Sequence, residues 1–423
     1  MTGHDLVTAD EGTRPPARPP RGPHAEAWAL DPAVVFLNHG SFGACPRAVL
    51  VVQADLRAEL EANPVAFLDR ALEGRLDAAR ARLAAFVGAG PEELAFVPNA
   101  TAGVATVLRS LRFAPGDEIV TTDHAYNAAL NMARFAAARD GARVVVARIP
   151  LPTTGPDEVA ERVLAAVGPR TRLVLMSHVT SPTALVLPVE RLVATLEGRG
   201  IPVLVDGAHG PGMLPLDLAG LGASFYAGNL HKWVCAPKGA AFLHVRRDRQ
   251  NAIRPLAISH GANDPRAGRS TFRKEFDWTG TADPTPFLAL PAALDAVGGM
   301  VAGGWPAVMA RNAGLAAVGR RVLASAAGRP VLAPETMLGS MAAIELPPDR
   351  AFAARDPSDA DPLQARLLET AAVEVPLHAW PRDPVPGERR RRLLRVSAHL
   401  HNDSGEYAHL AEALRALLAE ESR

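Results

Sequence analysis

The chain has 423 residues, of which 48% are hydrophobic, and its 45 basic and 45 acidic residues give a formal net charge of zero. That length predicts two or three domains with a sizeable core. The balanced charge gives no electrostatic basis for binding nucleic acid or an acidic membrane. No apolar run approaches the roughly 20 residues that cross a bilayer. The two cysteines, Cys45 and Cys235, cannot build a disulfide framework, which favours a cytoplasmic location.

Residues 1–30 are rich in proline and arginine and are predicted to form a disordered leader. Order is predicted to begin at the apolar run 34–37. A polar loop with glycines, residues 38–43, follows that run. Its glycines allow the backbone to approach a ligand closely or simply to make a turn. Apolar residues at helical spacing then predict helices over 47–61 and 67–87.

From residue 94 onward, short apolar strands are separated in most cases by helical segments. The predicted strands are residues 94–97, 118–121, 143–146, 173–176, 202–205, 224–227 and 240–244. This alternation predicts an α/β fold with a mainly parallel seven-stranded sheet buried on both faces, in a large domain over residues 31–290. Residues 291–423 are predicted to form a smaller C-terminal α/β domain. Ligands of such sheets bind beyond the carboxyl ends of the strands.

Lysine is rare in this chain. Its only lysines are Lys232, Lys238 and Lys274, and all other basic side chains of this length are arginines. Lys232 follows the predicted strand 224–227 in a polar turn. A lysine amine can lose its proton in a desolvated site and attack a carbonyl, whereas arginine keeps its proton. Lys232 is therefore predicted either to form a Schiff base or to be an ordinary surface lysine in a turn.

Polar residues also follow the other predicted strands. Residues 98–101 open a helix and suit either an anion site or an ordinary N-cap. His124 could stack on a planar cofactor or cap a helix. Asp206 directly follows a buried strand, where a carboxylate is costly unless it is paired, for example with a protonated ring nitrogen. Together with Lys232, these parts are what a pyridoxal 5′-phosphate (PLP) site requires.

Three stretches carry a family resemblance: residues 206–209 (Asp-Gly-Ala-His), 228–233 (Gly-Asn-Leu-His-Lys-Trp) and 278–283 (Trp-Thr-Gly-Thr-Ala-Asp). With them the chain resembles fold-type I PLP-dependent enzymes of the class V aminotransferase family, and within it the isopenicillin N epimerase-like branch. The resemblance extends from about Phe36 to the C-terminus. It implies the PLP-dependent transferase fold, PLP as cofactor and an amino-acid substrate.

The resemblance also implies a role for each matching residue. Lys232 would hold the cofactor as a Schiff base and move the Cα proton, Asp206 would pair with the pyridine nitrogen, and His209 would lie near the ring hydroxyl. His124 would stack on the ring. The remaining cofactor contacts would come from Ala100, Thr101, Thr180, Asn229, His231 and, from a neighbouring subunit, Thr281. That last contact implies a homodimer with shared active sites.

The same resemblance places the substrate. Arg395 would bind the α-carboxylate with two parallel hydrogen bonds, or else be an ordinary strand arginine. Asn38, His39, Phe42 and Tyr126 would line the substrate pocket. Epimerisation needs an acid on the face opposite Lys232, and the available side chains are Tyr126, His39 and His178.

The most favoured reaction is inversion at Cα by an epimerase or racemase. The alternatives are a lyase that eliminates a β or γ substituent, an aminotransferase, and a catalytically silent homologue that only binds a small molecule. Cysteine desulfurases use a cysteine shortly before the carboxylate-binding arginine, and residues 375–392 contain none. This absence argues against persulfide chemistry but not against a cysteine-independent lyase. No metal site is predicted.

Overall fold

The computed structural model describes residues 19–352, 355–356 and 358–423, so most of the predicted leader lies outside the described residues. Residues 19–30 differ from the prediction of a disordered leader. Their Trp28 is buried, and its indole Nε1 donates to the Ala44 carbonyl at 3.2 Å. The Gly22 N–H donates to the His401 carbonyl at 3.1 Å. Burial of the large Trp28 ring gives this segment the apolar contact that its proline-rich composition does not suggest.

The described residues form strands and helices in close agreement with the predicted alternation. The strands are β1 Val35–Phe36, β2 Leu94–Val97, β3 Glu118–Thr122, β4 Arg143–Ala147, β5 Thr171–Ser177, β6 Val203–Gly207, β7 Phe225–Asn229, β8 Ala241–Val245, β9 Met341–Leu346, β10 Val373–Glu374, β11 Leu377–Trp380 and β12 Arg391–Ser397. The helices are α1 His39–Phe42, α2 Arg47–Ala62, α3 Leu72–Val87, α4 Ala100–Ser110, α5 Asn127–Asp140, α6 Pro156–Ala165, α7 Val189–Gly198, α8 Leu218–Leu221, α9 Thr271–Asp277, α10 Thr285–Leu288, α11 Leu290–Gly298, α12 Gly304–Ala327, α13 Pro362–Ala371 and α14 Ser404–Glu421.

The central sheet has seven strands in the order β2-β8-β7-β6-β5-β3-β4. Strand β8 runs antiparallel to both of its neighbours, and every other neighbouring pair is parallel. The predicted mainly parallel seven-stranded sheet is therefore confirmed. Because β8 is antiparallel to β2 and to β7, those two strands point the same way. The carboxyl ends of β2, β7, β6, β5 and β3 consequently lie at one edge of the sheet.

Both faces of this sheet are covered, which explains the uninterrupted apolar runs of its strands. In β6, Val203 and Val205 pack into one hydrophobic cluster, and Leu204 between them packs into the cluster on the opposite face. Alternate side chains of a strand point to opposite faces, so two covered faces require apolar residues at successive positions. The buried sheet gives the loops at its edge a rigid base.

The C-terminal part contains an antiparallel sheet in the order β11-β12-β9, with α12 and α14 packed together beside it. Strand β1 pairs with β10, with Val35 opposite Val373. The N-terminal strand thus joins this smaller unit, whereas the predicted boundary placed it in the domain of residues 31–290. The two-residue pairing depends on a partner far along the chain, which local patterning does not reveal. No helix among the described residues combines the length and apolar character that a membrane crossing needs.

Candidate active site

A cavity of about 350 Å³ lies at the edge of the sheet where the parallel strands end. Asp206, near the end of β6, is in register with Ala227 of β7, and the turn after β7 carries Lys232. Residues after β2 open helix α4 at the same edge. The sheet therefore brings together polar residues that lie more than a hundred positions apart in the chain.

The Lys232 amine lines the cavity beside His209. Its Nζ lies 3.2 Å from Nε2 of His209, and Nδ1 of His209 accepts a hydrogen bond from the Trp233 indole at 3.2 Å. Burial lowers the pKa of Lys232 to about 7, with a further lowering by the positive charge of Arg395 and an opposing effect of Asp206. A neutral amine is the nucleophilic form, so this environment suits attack on a carbonyl.

Asp206 is a buried carboxylate that the structure leaves without an ion pair among the described residues. It is 6% exposed, and its Oδ1 accepts a hydrogen bond from the Ala208 N–H at 3.2 Å. Burial raises the pKa of Asp206, while the Ala208 hydrogen bond and Lys232 act in the opposite direction. A buried carboxylate with so few partners is expensive, so the site favours a cationic or N–H-bearing group beside it.

The start of helix α4 supplies a second set of groups to the cavity. Asn99, Ala100 and Thr101 line it, and the Ala100 N–H donates to Oδ1 of Asn229 at 2.8 Å. The Asn99 side chain caps the helix by accepting from the Ala102 N–H. His231 also lines the cavity. A capped helix N-terminus with neighbouring amide and imidazole groups suits an anion.

Arg395 on β12 is held next to the cavity by neutral groups only. Its Nη1 donates to the carbonyl and the hydroxyl of Ser181 at 2.9 and 3.1 Å, and its Nη2 donates to the hydroxyl of Ser41 at 2.7 Å and faces Oδ1 of Asn38 at 3.5 Å. The side chain is 2% exposed, and burial lowers the pKa of Arg395 to about 10. A buried guanidinium without a carboxylate partner suits an anionic ligand group.

Most of the predicted site residues meet at this cavity. Those that line it are Phe42, Ala100, Thr101, Tyr126, Asp206, His209, Asn229, His231 and Lys232. Asn38 and Arg395 adjoin it through Ser41, which lines it.

His178 and Thr180 do not line the cavity, so their predicted roles stay predictions that this placement does not support. Nδ1 of His178 lies 3.0 Å from the Tyr226 hydroxyl, and the Thr180 hydroxyl accepts from the Leu185 N–H at 2.8 Å. Both side chains are buried, whereas Ser177, Val179 and Ser181 between and beside them line the cavity. The segment after β5 is extended, so alternate residues point in opposite directions and only the odd-numbered ones face the site.

His39 is also placed differently from the prediction that it acts in the substrate pocket. It is fully buried behind Lys232, with Nε2 3.0 Å from the Lys232 carbonyl and Nδ1 3.2 Å from Nε2 of His401. Its ring stacks on His399 at 4.3 Å, and Nε2 of each of these two rings lies within 3.6 Å of the Cys235 sulfur. Both ring nitrogens of His39 are therefore engaged. This histidine cluster supports the backbone that carries Lys232.

His124 and Thr281 do not line the cavity either. His124 is fully buried, with Nδ1 2.7 Å from the Thr183 hydroxyl and Nε2 3.1 Å from the Ile149 carbonyl. Its ring packs against Trp380 at 4.5 Å. The predicted stacking on a cofactor thus stays a prediction that this placement does not support. Thr281 is exposed in the loop after α9.

Three contributors were not identified in the sequence. Ser41 and Ser181 hold Arg395, and Trp233 fixes His209. The polar loops that contain the two serines were recognisable as loops at strand ends. Which of their hydroxyls meets the arginine depends on β12, which pairs within the other domain.

Comparison with known proteins agrees with this architecture. The family model for class V aminotransferases matches residues 45–347, which is well over half of the chain. The chain belongs to the class V aminotransferase family. The predicted family is confirmed.

Two relatives and one solved structure illustrate the family. Isopenicillin N epimerase of Amycolatopsis lactamdurans is 39% identical, with 93% of this chain and 99% of the relative covered. A putative L-cysteine desulfhydrase of Oryza sativa subsp. japonica is 32% identical, with 94% and 87% covered. A mutant of C-DES with glycine covalently linked to the PLP cofactor has a TM-score of 0.73 at 23% identity, with 90% and 96% covered. The structural likeness confirms the predicted fold, and the relatives support the predicted epimerase reading, with the lyase as its alternative.

Proposed function

We propose that this chain is a PLP-dependent epimerase that inverts the configuration at Cα of an amino acid or of a metabolite containing one. The observation that carries the proposal is that Asp206 and Lys232 line the same cavity. Asp206 is a buried carboxylate without an ion pair among the described residues, and burial lowers the pKa of Lys232 to about 7. An isopenicillin N epimerase at 39% identity supports the reaction type.

The residues of the cavity fit PLP. Asp206 would pair with the protonated ring nitrogen, and Lys232 would hold the aldehyde carbon covalently. The start of α4, with Asn229 and His231, would bind the phosphate. His209 would face the ring hydroxyl. Once bound, PLP supplies an electron sink that makes the Cα proton of an amino acid acidic.

The chain's own groups then determine the outcome at Cα. Arg395 would bind the α-carboxylate, because it is buried and is hydrogen-bonded only to neutral atoms. The Lys232 amine would remove or return the proton on its side. Tyr126 is the one of the three predicted acids that lines the cavity, since His39 and His178 are engaged elsewhere. Tyr126 would therefore deliver the proton on the opposite side.

Other parts of the prediction also remain proposals. A homodimer is supported by the exposed position of Thr281 outside its own chain's cavity. A cytoplasmic setting is supported by the two cysteines, which stay unbonded and buried. None of the residues that line the cavity is a cysteine, which supports a reaction that needs no persulfide.

The proposal is tested in two steps. Borohydride reduction and digestion of the purified protein should give a pyridoxyl mass on the peptide that contains Lys232 and not on those of Lys238 or Lys274. Incubation with amino acids in deuterated water should then give Cα deuterium with inverted configuration. Pyruvate and ammonia would instead identify an eliminating lyase, and a keto acid an aminotransferase. Absence of the pyridoxyl mass would contradict the proposal itself.

A further inference from the structure

The Asp206 turn, residues 206–210, brings two cavity-lining side chains to the site. Asp206 begins the turn near the end of β6, and His209 follows three positions later. Nε2 of His209 lies 3.2 Å from Nζ of Lys232. A displacement of this turn therefore changes the distance between these two nitrogen atoms and the placement of the buried carboxylate together.

The phenol ring of Tyr226 fills the space inside the turn. Tyr226 lies on β7 opposite Val205 of β6 and is fully buried. A Cβ atom added to Gly210 would lie 2.0 Å from the Tyr226 hydroxyl oxygen, and one added to Gly207 would lie 2.0 Å from Cζ of the ring. Non-bonded atoms pack at about 3.5–4.0 Å, so neither position has room for a side chain. Neither glycine has a positive φ. Contact with the phenol therefore requires glycine at both positions, and backbone conformation does not.

His178 fixes the phenol in this place. Its Nδ1 lies 3.0 Å from the Tyr226 hydroxyl, and the two rings meet edge-on with their centroids 5.9 Å apart. The backbone N–H of His178 also donates to the Asp206 carbonyl at 2.9 Å. Burial raises the pKa of Tyr226 and lowers the pKa of His178 to about 4, so both side chains are neutral near pH 7. His178 is thus joined to the turn directly through Asp206 and indirectly through the phenol.

We propose that Tyr226 and His178 are positioning residues of the active site, in which the phenol supports the Asp206 turn and His178 fixes the phenol. Neither side chain lines the cavity, so both act through Asp206 and His209. The consequence for the cofactor rests on the proposed function, since Asp206 and His209 would hold its ring. The consequence for the Lys232 amine does not, because the contact between His209 and Lys232 belongs to the chain itself.

Gly210→Ala tests the support that the phenol gives. The added methyl group would collide with the phenol oxygen and push His209 away from Lys232. Water would then reach the amine and favour its charged form. The pH midpoint of amine reactivity should therefore rise by about one unit, roughly the effect of one hydrogen bond. Trace labelling of the cofactor-free protein with acetic anhydride over a pH series, followed by mass spectrometry of the Lys232 peptide, measures this midpoint without PLP.

Tyr226→Phe removes the oxygen that the added methyl group meets but keeps the ring carbons. In the Tyr226→Phe background the closest approach to the Cβ of Gly210→Ala becomes 3.3 Å, so Gly210→Ala should leave the midpoint unchanged there. Gly207→Ala meets Cζ at 2.0 Å and Cε1 at 2.1 Å, so Tyr226→Phe should not cancel its effect. Gly314→Ala is the matched control on α12, where no side chain of another described element lies within 4 Å of the added Cβ, and it should shift nothing.

Two substitutions of His178 test its part separately and leave the glycines of the turn intact. His178→Leu should raise the midpoint in the same direction as Gly210→Ala. His178→Asn, whose amide can take the place of Nδ1 beside the phenol, should stay close to the wild type. These variants supply the midpoint even if Gly210→Ala does not fold.

Cofactor loading gives a second readout. The PLP concentration that loads half of the protein should be about tenfold higher for Gly210→Ala, and Gly210→Ala should not change it in the Tyr226→Phe background. Variants that melt at lower temperature but keep the wild-type midpoint would overturn the positioning role, and so would cancellation of Gly207→Ala by Tyr226→Phe. Absence of a pyridoxyl group on Lys232 would overturn the proposed function, while the labelling midpoints would still decide the role of Tyr226 and His178.

Discussion

The amine of Lys232 lies 3.2 Å from Nε2 of His209, and the other nitrogen of that imidazole accepts a hydrogen bond from Trp233, the residue after the lysine. The indole N–H can only donate, so Nδ1 of His209 is the acceptor and Nε2 carries the ring's proton in the neutral form. Nε2–H then donates to the lone pair of a neutral amine. The geometry is therefore consistent with a deprotonated Lys232.

Covalent loading of the cofactor should depend on pH through Lys232. The pKa of this amine is lowered to about 7, first by burial and then by Arg395. Because only the neutral amine attacks the aldehyde, the loading rate of cofactor-free protein should rise with pH around a midpoint near 7. Arg395→Gln should move that midpoint upward by removing the positive charge. Borohydride trapping at a series of pH values measures this midpoint.

Arg389→Gln, at an exposed arginine, is the matched control for Arg395→Gln. A loading midpoint near 10 for the wild type would refute the assignment of the lowered pKa to Lys232.

Replacing Asp206 with asparagine should separate stability from function. The raised pKa of Asp206 means that folding disfavours its ionised form, so the carboxylate lowers stability at pH values above its unfolded pKa. Asp206→Asn should therefore raise the free energy of unfolding of the cofactor-free protein at pH 7, by about 1–3 kcal/mol. The same change should lower turnover about 10²- to 10³-fold, because the ring nitrogen loses its charged partner. Thermal melts and Cα exchange rates provide the two readouts. A destabilised variant with full turnover would be the contrary result.

The central sheet was predictable because its strands are buried on both faces and read as continuous apolar runs. Strands β10 and β11 were not, since they are two and four residues long and form through partners elsewhere, such as Val35 opposite Val373. A two-residue pairing leaves no periodic pattern. For the same reason the sequence did not reveal that β1 pairs with β10.

The site was predictable where a residue's role depends on its own strand. Asp206 and Lys232 follow β6 and β7 directly, and the sheet fixes their position. The predicted role of His39 in the substrate pocket stays a prediction that its placement does not support. Its burial is decided by His401 and Cys235, which approach from distant parts of the chain. The predicted roles of His178 and Thr180 likewise stay predictions, because the side of an extended segment that faces the cavity depends on tertiary packing.

Tyr126→Phe should abolish inversion without abolishing exchange at Cα. Lys232 can still remove the proton and return a deuteron on its own side, so the product should carry deuterium with retained configuration. Delivery on the other side should fall about 10²-fold or more, as is common when a positioned general acid is lost. Chiral chromatography with mass spectrometry distinguishes deuterated product of retained configuration from product of inverted configuration. Inversion at the wild-type rate would exclude Tyr126 as that acid.

The buried histidine cluster of His39, His399 and His401 should make the protein sensitive to acid. Burial lowers the pKa of all three below the usual value near 6.5, to about 4 for His399. The unfolded chain then binds these protons first, so stability is full above pH 6.5 and falls as the pH drops below it. Each proton contributes a slope of about 1.4 kcal/mol per pH unit.

His401→Gln should flatten this dependence by about one proton between pH 6 and 5. Urea unfolding at pH 5, 6 and 7 provides the slope. His260→Gln, at an exposed position, should leave the slope as it is. A His401→Gln slope equal to that of the wild type would mean that the cluster does not carry the acid sensitivity.

Mixed dimers should reveal whether Thr281 serves the neighbouring subunit. Thr281→Glu places a negative charge where a phosphate would lie and should inactivate the protein, whereas Thr279→Glu in the same exposed loop should not. Lys232→Ala should also be inactive by itself, because it lacks the amine. When the two inactive proteins are refolded together, each hybrid has one site with an intact Lys232 from one chain and an intact Thr281 from the other. Because half of the dimers are hybrids, activity should return to about a quarter of the wild-type value. If Thr281 acted within its own chain, every site in the mixture would lack one of the two groups, and no activity would return.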